Sequence, residues 1–265
     1  MLTSVPALEK ESLLSLLGVS PDMHVKDLQH CLAQGNLLEV TGQDRVKWIM
    51  ESQKLREWLG FSRARVLLVN GNEDVGDADF AATTFLSAKL VESLTEVEPI
   101  ITLHFFCSAH AKKKYSIPDD ARGLLSSLVG QLVLMSPGSS QAFLSHVDIA
   151  RLKENDLEIL CKVFRGLIEQ LPPTTLLFMM IDSVTLYERT QRRQNFLKAI
   201  KEMMEAMKDS QNIVFKLLLT CQGRSMFLKR LIDGPDILTA PPDIDGDRQA
   251  LLEESHTERY LGCPG

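Results

Sequence analysis

Arg65-Val-Leu-Leu-Val-Asn-Gly-Asn-Glu-Asp-Val-Gly-Asp-Ala78 joins a short apolar run to an acidic loop punctuated by two glycines. Ala81, Ala82, Phe85, Leu86, Leu90 and Leu94 then recur at helical spacing. A strand apolar at consecutive positions is one covered on both faces, and a helix directly after it makes the first half of a strand–helix–strand unit. The alternation repeats outward. Ile100–Cys107, Leu176–Ile181 and Ile213–Thr220 read as strands, with a weaker one at Asp236–Thr239. Leu124–Met135, the stripe from Leu157 to Leu171 with Asn155 as its cap, and Phe196–Met207 read as helices, and Pro172-Pro173 stop the second of these. Upstream, Asp44–Leu59 reads as one helix with a broad apolar face. The pattern predicts an α/β fold, a three-layer parallel sheet with helices on both faces preceded by short helices. Residues 1–43 form a helical lead-in, 44–240 the α/β core, and 241–265 a polar tail with a short helix near 248–253. Ligands of such sheets bind at the carboxyl ends of the strands.

Composition narrows the function classes. The 265-residue chain carries a net charge of −6, with 45% apolar and 24% charged residues. No run approaches the roughly 18 uncharged apolar residues of a membrane span, and Met1–Lys10 lacks the basic start and apolar core of a secretory signal. An acidic chain with a pI near 5.6 has no global electrostatic reason to bind DNA or RNA. The five cysteines make no CxxC pair, and the six histidines are scattered without zinc-ligand spacing, so the expectation is a cytoplasmic protein with no metal site.

The loop after the first strand has the outline of a P-loop, strand–GxxxxGK[ST]–helix, in which backbone N–H groups surround phosphates, the Lys reaches the outer phosphates and the hydroxyl holds Mg²⁺. Gly71 and Gly76 keep the outline, but Asp77 takes the lysine position and Ala78 the hydroxyl position. Glu73, Asp74 and Asp79 add further negative charge. Like charges 4 Å apart at an effective dielectric of about 20 repel by about 4 kcal/mol, so the loop opposes phosphate rather than attracting it. Its other readings are an acidic surface turn or a set of oxygen ligands for a divalent cation. Asp182 ends the most apolar strand, where a Walker B carboxylate would contact Mg²⁺. Its plain reading is a cap on the following turn. Thr220 and Arg224 end the next strand, at a position suited to sensing a γ-phosphate, and Glu188 is the one nearby acid for orienting a water.

Arg56-Glu-Trp-Leu59, Val66–Gly71, the strand 101–106 with Phe105-Phe106, the helix from Leu125 to Leu132, Met180-Ile-Asp182 and Leu218-Leu-Thr220 follow one order. This order resembles the NACHT-type core of STAND signalling ATPases, particularly fungal forms similar to nephrocystin-3-like N-terminal domains. The resemblance implies a P-loop NTPase-like core whose degenerate nucleotide-binding set is Gly71, Gly76, Asp77, Ala78, Asp182 and Thr220. The family's Asp-Ala-Leu-Asp-Glu is Asp182-Ser-Val-Thr-Leu186 here, and its Thr-Ser-Arg is Thr220-Cys-Gln222. The expectation is therefore a catalytically inactive pseudo-NTPase, a protein-interaction or regulatory module without cofactor, acting through a protein partner or self-association. The alternative is a divergent Mg-ATP or Mg-GTP-dependent NTPase that recruits Lys89 or Lys112–Lys114. Cys107 beside His110 offers a weak nucleophile–base outline, and Arg189, Arg192 and Arg193 a basic cluster able to pair with the acidic loop.

Overall fold

A computed structural model of the chain describes residues 10–73, 81–112, 117–135, 147–189 and 191–244. Asp74, Gly76, Asp77, Ala78, Asp79, the side chains of Lys112–Lys114 and the tail helix expected near 248–253 lie outside the described residues. The helices are α1 (Lys10–Leu17), α2 (Met23–Gly35), α3 (Val40–Glu51), α4 (Gln53–Gly60), α5 (Ala82–Thr95), α6 (Cys107–Lys112), α7 (Ala121–Met135), α8 (Ile149–Lys153), α9 (Leu157–Glu169) and α10 (Arg193–Asp209). The strands are β1 (Arg65–Asn70), β2 (Ile100–Phe106), β3 (Leu176–Asp182), β4 (Val214–Cys221) and β5 (Ile237–Thr239).

All five strands pair in parallel, in the spatial order β2-β3-β4-β1-β5. Side chains alternate across a strand, and the core divides accordingly. Leu68, Leu103, Phe105, Met179, Ile181 and Leu219 point to the face carrying α1, α7, α9 and α10. Leu67, Val69, Phe178, Met180 and Leu218 point to the face covered by α3, α4 and α5, through Ile49, Leu55, Trp58, Leu86 and Val91. The three-layer α/β fold read from the sequence is the observed one.

Two boundaries differ from the sequence reading. The single helix expected over Asp44–Leu59 is two, because Ser52 takes an extended backbone (φ −63°, ψ 137°) and serves both sides of the break. Its hydroxyl donates to Ile49 O at 2.7 Å and accepts from Leu55 N–H at 3.3 Å. The cap of α9 is Asp156, whose carboxylate accepts from the N–H groups of Glu158 and Ile159, whereas Asn155 sits in the left-handed region at φ 54°. An Asx residue serves either role, and adjacent Asn-Asp leaves the choice to the backbone.

Candidate functional site

The carboxyl ends of β1, β3 and β4 converge beneath the N-terminus of α5. Asp182, the last residue of β3, is completely buried. Three hydroxyls surround its carboxylate: Thr84 Oγ1 and Ser183 Oγ donate to Oδ2 at 2.7 Å each, and Thr220 Oγ1 donates to Oδ1 at 2.6 Å. Ser87 Oγ stands 3.2 Å from Thr220 Oγ1 and is also within reach of Thr83 O, at 2.9 Å. Thr84 and Ser87 lie on the face of α5 turned toward the sheet, and Ser183 turns back onto Asp182 because its backbone is left-handed, at φ 57°. Burial pushes the Asp182 carboxyl above the ordinary carboxylate range, against the three hydroxyls that favour its charged form.

The exit of β1 is pinned to the exit of β4. Gly71 N donates to Cys221 O at 2.8 Å, Asn72 N to Gly223 O at 3.1 Å and Glu73 N to Gln222 O at 2.9 Å. Gly71 admits no side chain: a Cβ there would stand 2.7 Å from Gln222 O and 2.8 Å from both Glu73 Oε1 and Thr83 Cγ2. This path carries Glu73 to the start of α5. Its Oε2 accepts from Ala82 N–H at 3.0 Å and its Oε1 from Thr83 N–H at 3.3 Å. Burial raises the Glu73 carboxyl above its ordinary value; those two N–H groups and the charge of Arg45 oppose the rise, and the charge of Asp182 adds to it. Arg45, on α3, is buried, and its guanidinium donates to Gly71 O at 2.6 Å, Pro241 O at 2.9 Å and Pro242 O at 2.9 Å. It fastens a lead-in helix to the loop after β1 and to the chain beyond β5.

Of the residues selected from the sequence, Gly71, Asp182 and Thr220 therefore meet at one place. Thr84, Ser87 and Ser183 join them without having been selected. A hydroxyl inside a helix leaves no periodic trace, and only the fold shows that Thr84 reaches an acid 98 positions away. The alternative partners go elsewhere. Glu188 is no water-orienting base: its carboxylate accepts from Ser225 Oγ and from the N–H groups of Met226, Phe227 and Leu228. Arg192 pairs with Asp119, and Arg193 lies over the Phe227 ring. Arg224 donates to Asn72 Oδ1 at 2.9 Å. Lys89 pairs with Glu92 on the outer side of α5. Cys107 is fully buried, with its thiol held well above the usual range by burial, and the His110 ring faces Asp27 Oδ2 at 3.0 Å.

The fold and this crevice define a parallel α/β protein with a strand-end acid bound to the helix that follows the first strand. The family model described as "Nephrocystin 3, N-terminal" matches residues 44–222, about two thirds of the chain, and the chain belongs to that family. No curated protein and no solved structure matches it.

Proposed function

We propose that this chain is a catalytically inactive NACHT/STAND-like pseudo-NTPase that works as a protein-interaction or regulatory module. One observation carries the reading: Asp182, the strand-end carboxylate that the sequence offers for Mg²⁺, is fully buried and bonded to three hydroxyls of its own chain. Charge-assisted hydrogen bonds contribute about 1.5–3 kcal/mol each, so a cation would have to break several such interactions to reach it. Lys89, one of the two recruits considered for the missing lysine, is engaged with Glu92 away from the crevice. What remains for function is the outer surface of the helical layers, which suits a protein partner or self-association. A cytoplasmic setting agrees with four described cysteines that are all free and buried, and no described helix is long and apolar enough to cross a membrane.

The divergent-NTPase reading rests on the Thr84–Asp182 pair, because a hydroxyl and a carboxylate together are what hold Mg²⁺ in P-loop enzymes. Calorimetric titration of the whole chain with Mg-ATP and Mg-GTP separates the two. The pseudo-NTPase gives no heat of binding at millimolar nucleotide. Tight Mg²⁺-dependent binding that Asp182→Asn abolishes would establish the alternative.

A further inference from the structure

We propose that the turn after β4, together with the start of α10, is a docking surface for an acidic segment of a protein partner in which carboxylates alternate with apolar side chains. The inference deepens the protein-interaction reading and rests on it, adding the surface and the chemistry of what that surface meets.

The chain as a whole is acidic, at −6, yet cations gather at this place. The Arg193 guanidinium lies 4.3 Å from the centre of the Phe227 ring and that of Arg230 lies 5.6 Å from it. Lys229 adjoins Arg230 in the turn Leu228–Arg230, and the carbonyl of Arg189 accepts from Arg193 N–H at 3.1 Å. Among the described residues Arg189, Arg193, Lys229 and Arg230 have no ion-pair partner within 4.0 Å, whereas Arg65, Arg122, Arg151 and Arg165 each have one. Glu188, next to Arg189, is buried and holds Ser225 Oγ and the N–H groups of Met226, Phe227 and Leu228, and the exposed Asp233 pairs with none of the four cations. Like charges gathered in this way repel one another, and an incoming carboxylate relieves the repulsion.

Apolar surface lies among these cations. Met226 is 58% exposed and Leu231 37%, on either side of the half-buried Phe227 and its two guanidinium groups. The exposure of Met226 is not that of a loose loop, because the Glu188 carboxylate grips three successive backbone N–H groups and Asn70 Oδ1 accepts from Ser225 N–H at 3.0 Å. Side chains carried on a fixed backbone have less ordering entropy to lose on association. Arg, Met and aromatic residues are the types enriched where protein partners meet, and a guanidinium over a ring keeps its N–H edge available for a carboxylate. Four cations in an acidic chain favour a short acidic segment over a nucleic acid. The local positive field reaches about 8 Å at physiological salt, while a long polyanion also meets the net negative charge beyond it.

The test is fluorescence anisotropy of the full chain with a fluorescein-labelled peptide of alternating Glu and Leu, against an alternating Gln and Leu peptide and poly-glutamate. Wild type binds the Glu/Leu peptide with a Kd on the order of micromolar at low salt, and each control at least about tenfold more weakly. Raising NaCl from about 50 to about 500 mM weakens the Glu/Leu complex severalfold. Arg193→Glu/Arg230→Glu weakens it by about tenfold or more, and Met226→Ser weakens it severalfold while leaving the salt dependence unchanged. Should the double variant not fold, Lys229→Glu/Arg230→Glu carries the same comparison on two exposed side chains. No binding of the Glu/Leu peptide, equal binding by wild type and a folded charge-reversal variant, or tighter binding of an oligo-dT strand or phosphatidylserine vesicles overturns the proposal. Binding of Mg-ATP by wild type would instead overturn the pseudo-NTPase reading, so the two failures are distinct.

Discussion

Replacing Lys216 with Met flattens the alkaline limb of the stability profile. Lys216 lies in β4 with only 1% of its surface exposed, and its ammonium donates to Trp58 O at 2.8 Å. That carbonyl belongs to the last turn of α4, where no amide of the same helix reaches it and where the helix dipole favours a cation. Burial, and then the positive charge of Arg65, lower the Lys216 ammonium from 10.5 to about 8. Between pH 8 and 10.5 the unfolded chain holds a proton that the folded chain has released, so stability rises with pH through this window. At about 1.4 kcal/mol per pH unit, the rise is about 3 kcal/mol. Below pH 8 the folded state bears that penalty in full. Lys216→Met removes it and leaves Trp58 O without a donor, a loss of about 1–3 kcal/mol. The variant is therefore expected between equal to wild type and about 2 kcal/mol more stable at pH 7, and wild type gains on it by about 3 kcal/mol by pH 10.5. Urea unfolding of both proteins at several pH values reads the difference. Buried Cys107, Cys161, Cys221 and Tyr187, whose ionisation burial opposes, weaken both proteins alike at high pH and cancel. A stability difference that stays constant from pH 7 to 10.5 refutes the reasoning.

On the acid side, burial lowers His104 from 6.5 to about 4, with the His24 carbonyl and Asp27 opposing and the charge of His24 assisting. Stability from this group is lost as pH falls from 6.5 to 4, by up to about 3 kcal/mol, and His104→Phe should flatten that limb relative to wild type in urea titrations. Asp182→Ala should lower stability by about 3 kcal/mol or more, since it orphans hydroxyls of three elements, while Asp182→Asn keeps an acceptor and loses about half as much. Equal stability of Asp182→Ala and wild type would show that the hydroxyls do not depend on the acid. Glu188→Gln, which trades an acceptor oxygen for an amide donor facing N–H groups, should cost about 1–2 kcal/mol and speed hydrogen exchange at Met226, Phe227 and Leu228.

The sheet was legible because each parallel strand is covered on both faces, which forces the unbroken apolar runs at Leu67–Val69, Leu176–Ile181 and Leu217–Leu219. Asp182 was legible because an acid ending such a run has nowhere to go but a crevice. The break at Ser52 was hidden because Val46, Ile49, Leu55 and Leu59 keep a helical stripe through it, and the hydroxyl that ends one helix starts the next. Glu73 was read as a charge repelling phosphate. Its observed partners, the first amides of α5, are set by where the loop after β1 is pinned against Gln222 and Gly223, a long-range fact with no local signature.

Among the described residues, three carboxylates near the strand ends share one physical arrangement. Asp182 is met by hydroxyls, Glu73 by the amides of α5, and Glu188 by the amides that open the turn at Leu228–Arg230. Each of these three anions is satisfied by donors of its own chain, so their oxygens are engaged within the fold. Such a network stiffens what it joins, because releasing any one carboxylate leaves several buried donors unmatched at about 1–3 kcal/mol each. Here it joins β1, β3, β4 and α5, and Arg45 ties the lead-in helix α3 to the same point. At the strand ends Asp182, Glu73 and their donors fasten the sheet to its helical cover. A function carried by the outside of those helices gains a fixed surface from that fastening, which is why each substitution at the crevice is expected to register first as lost stability.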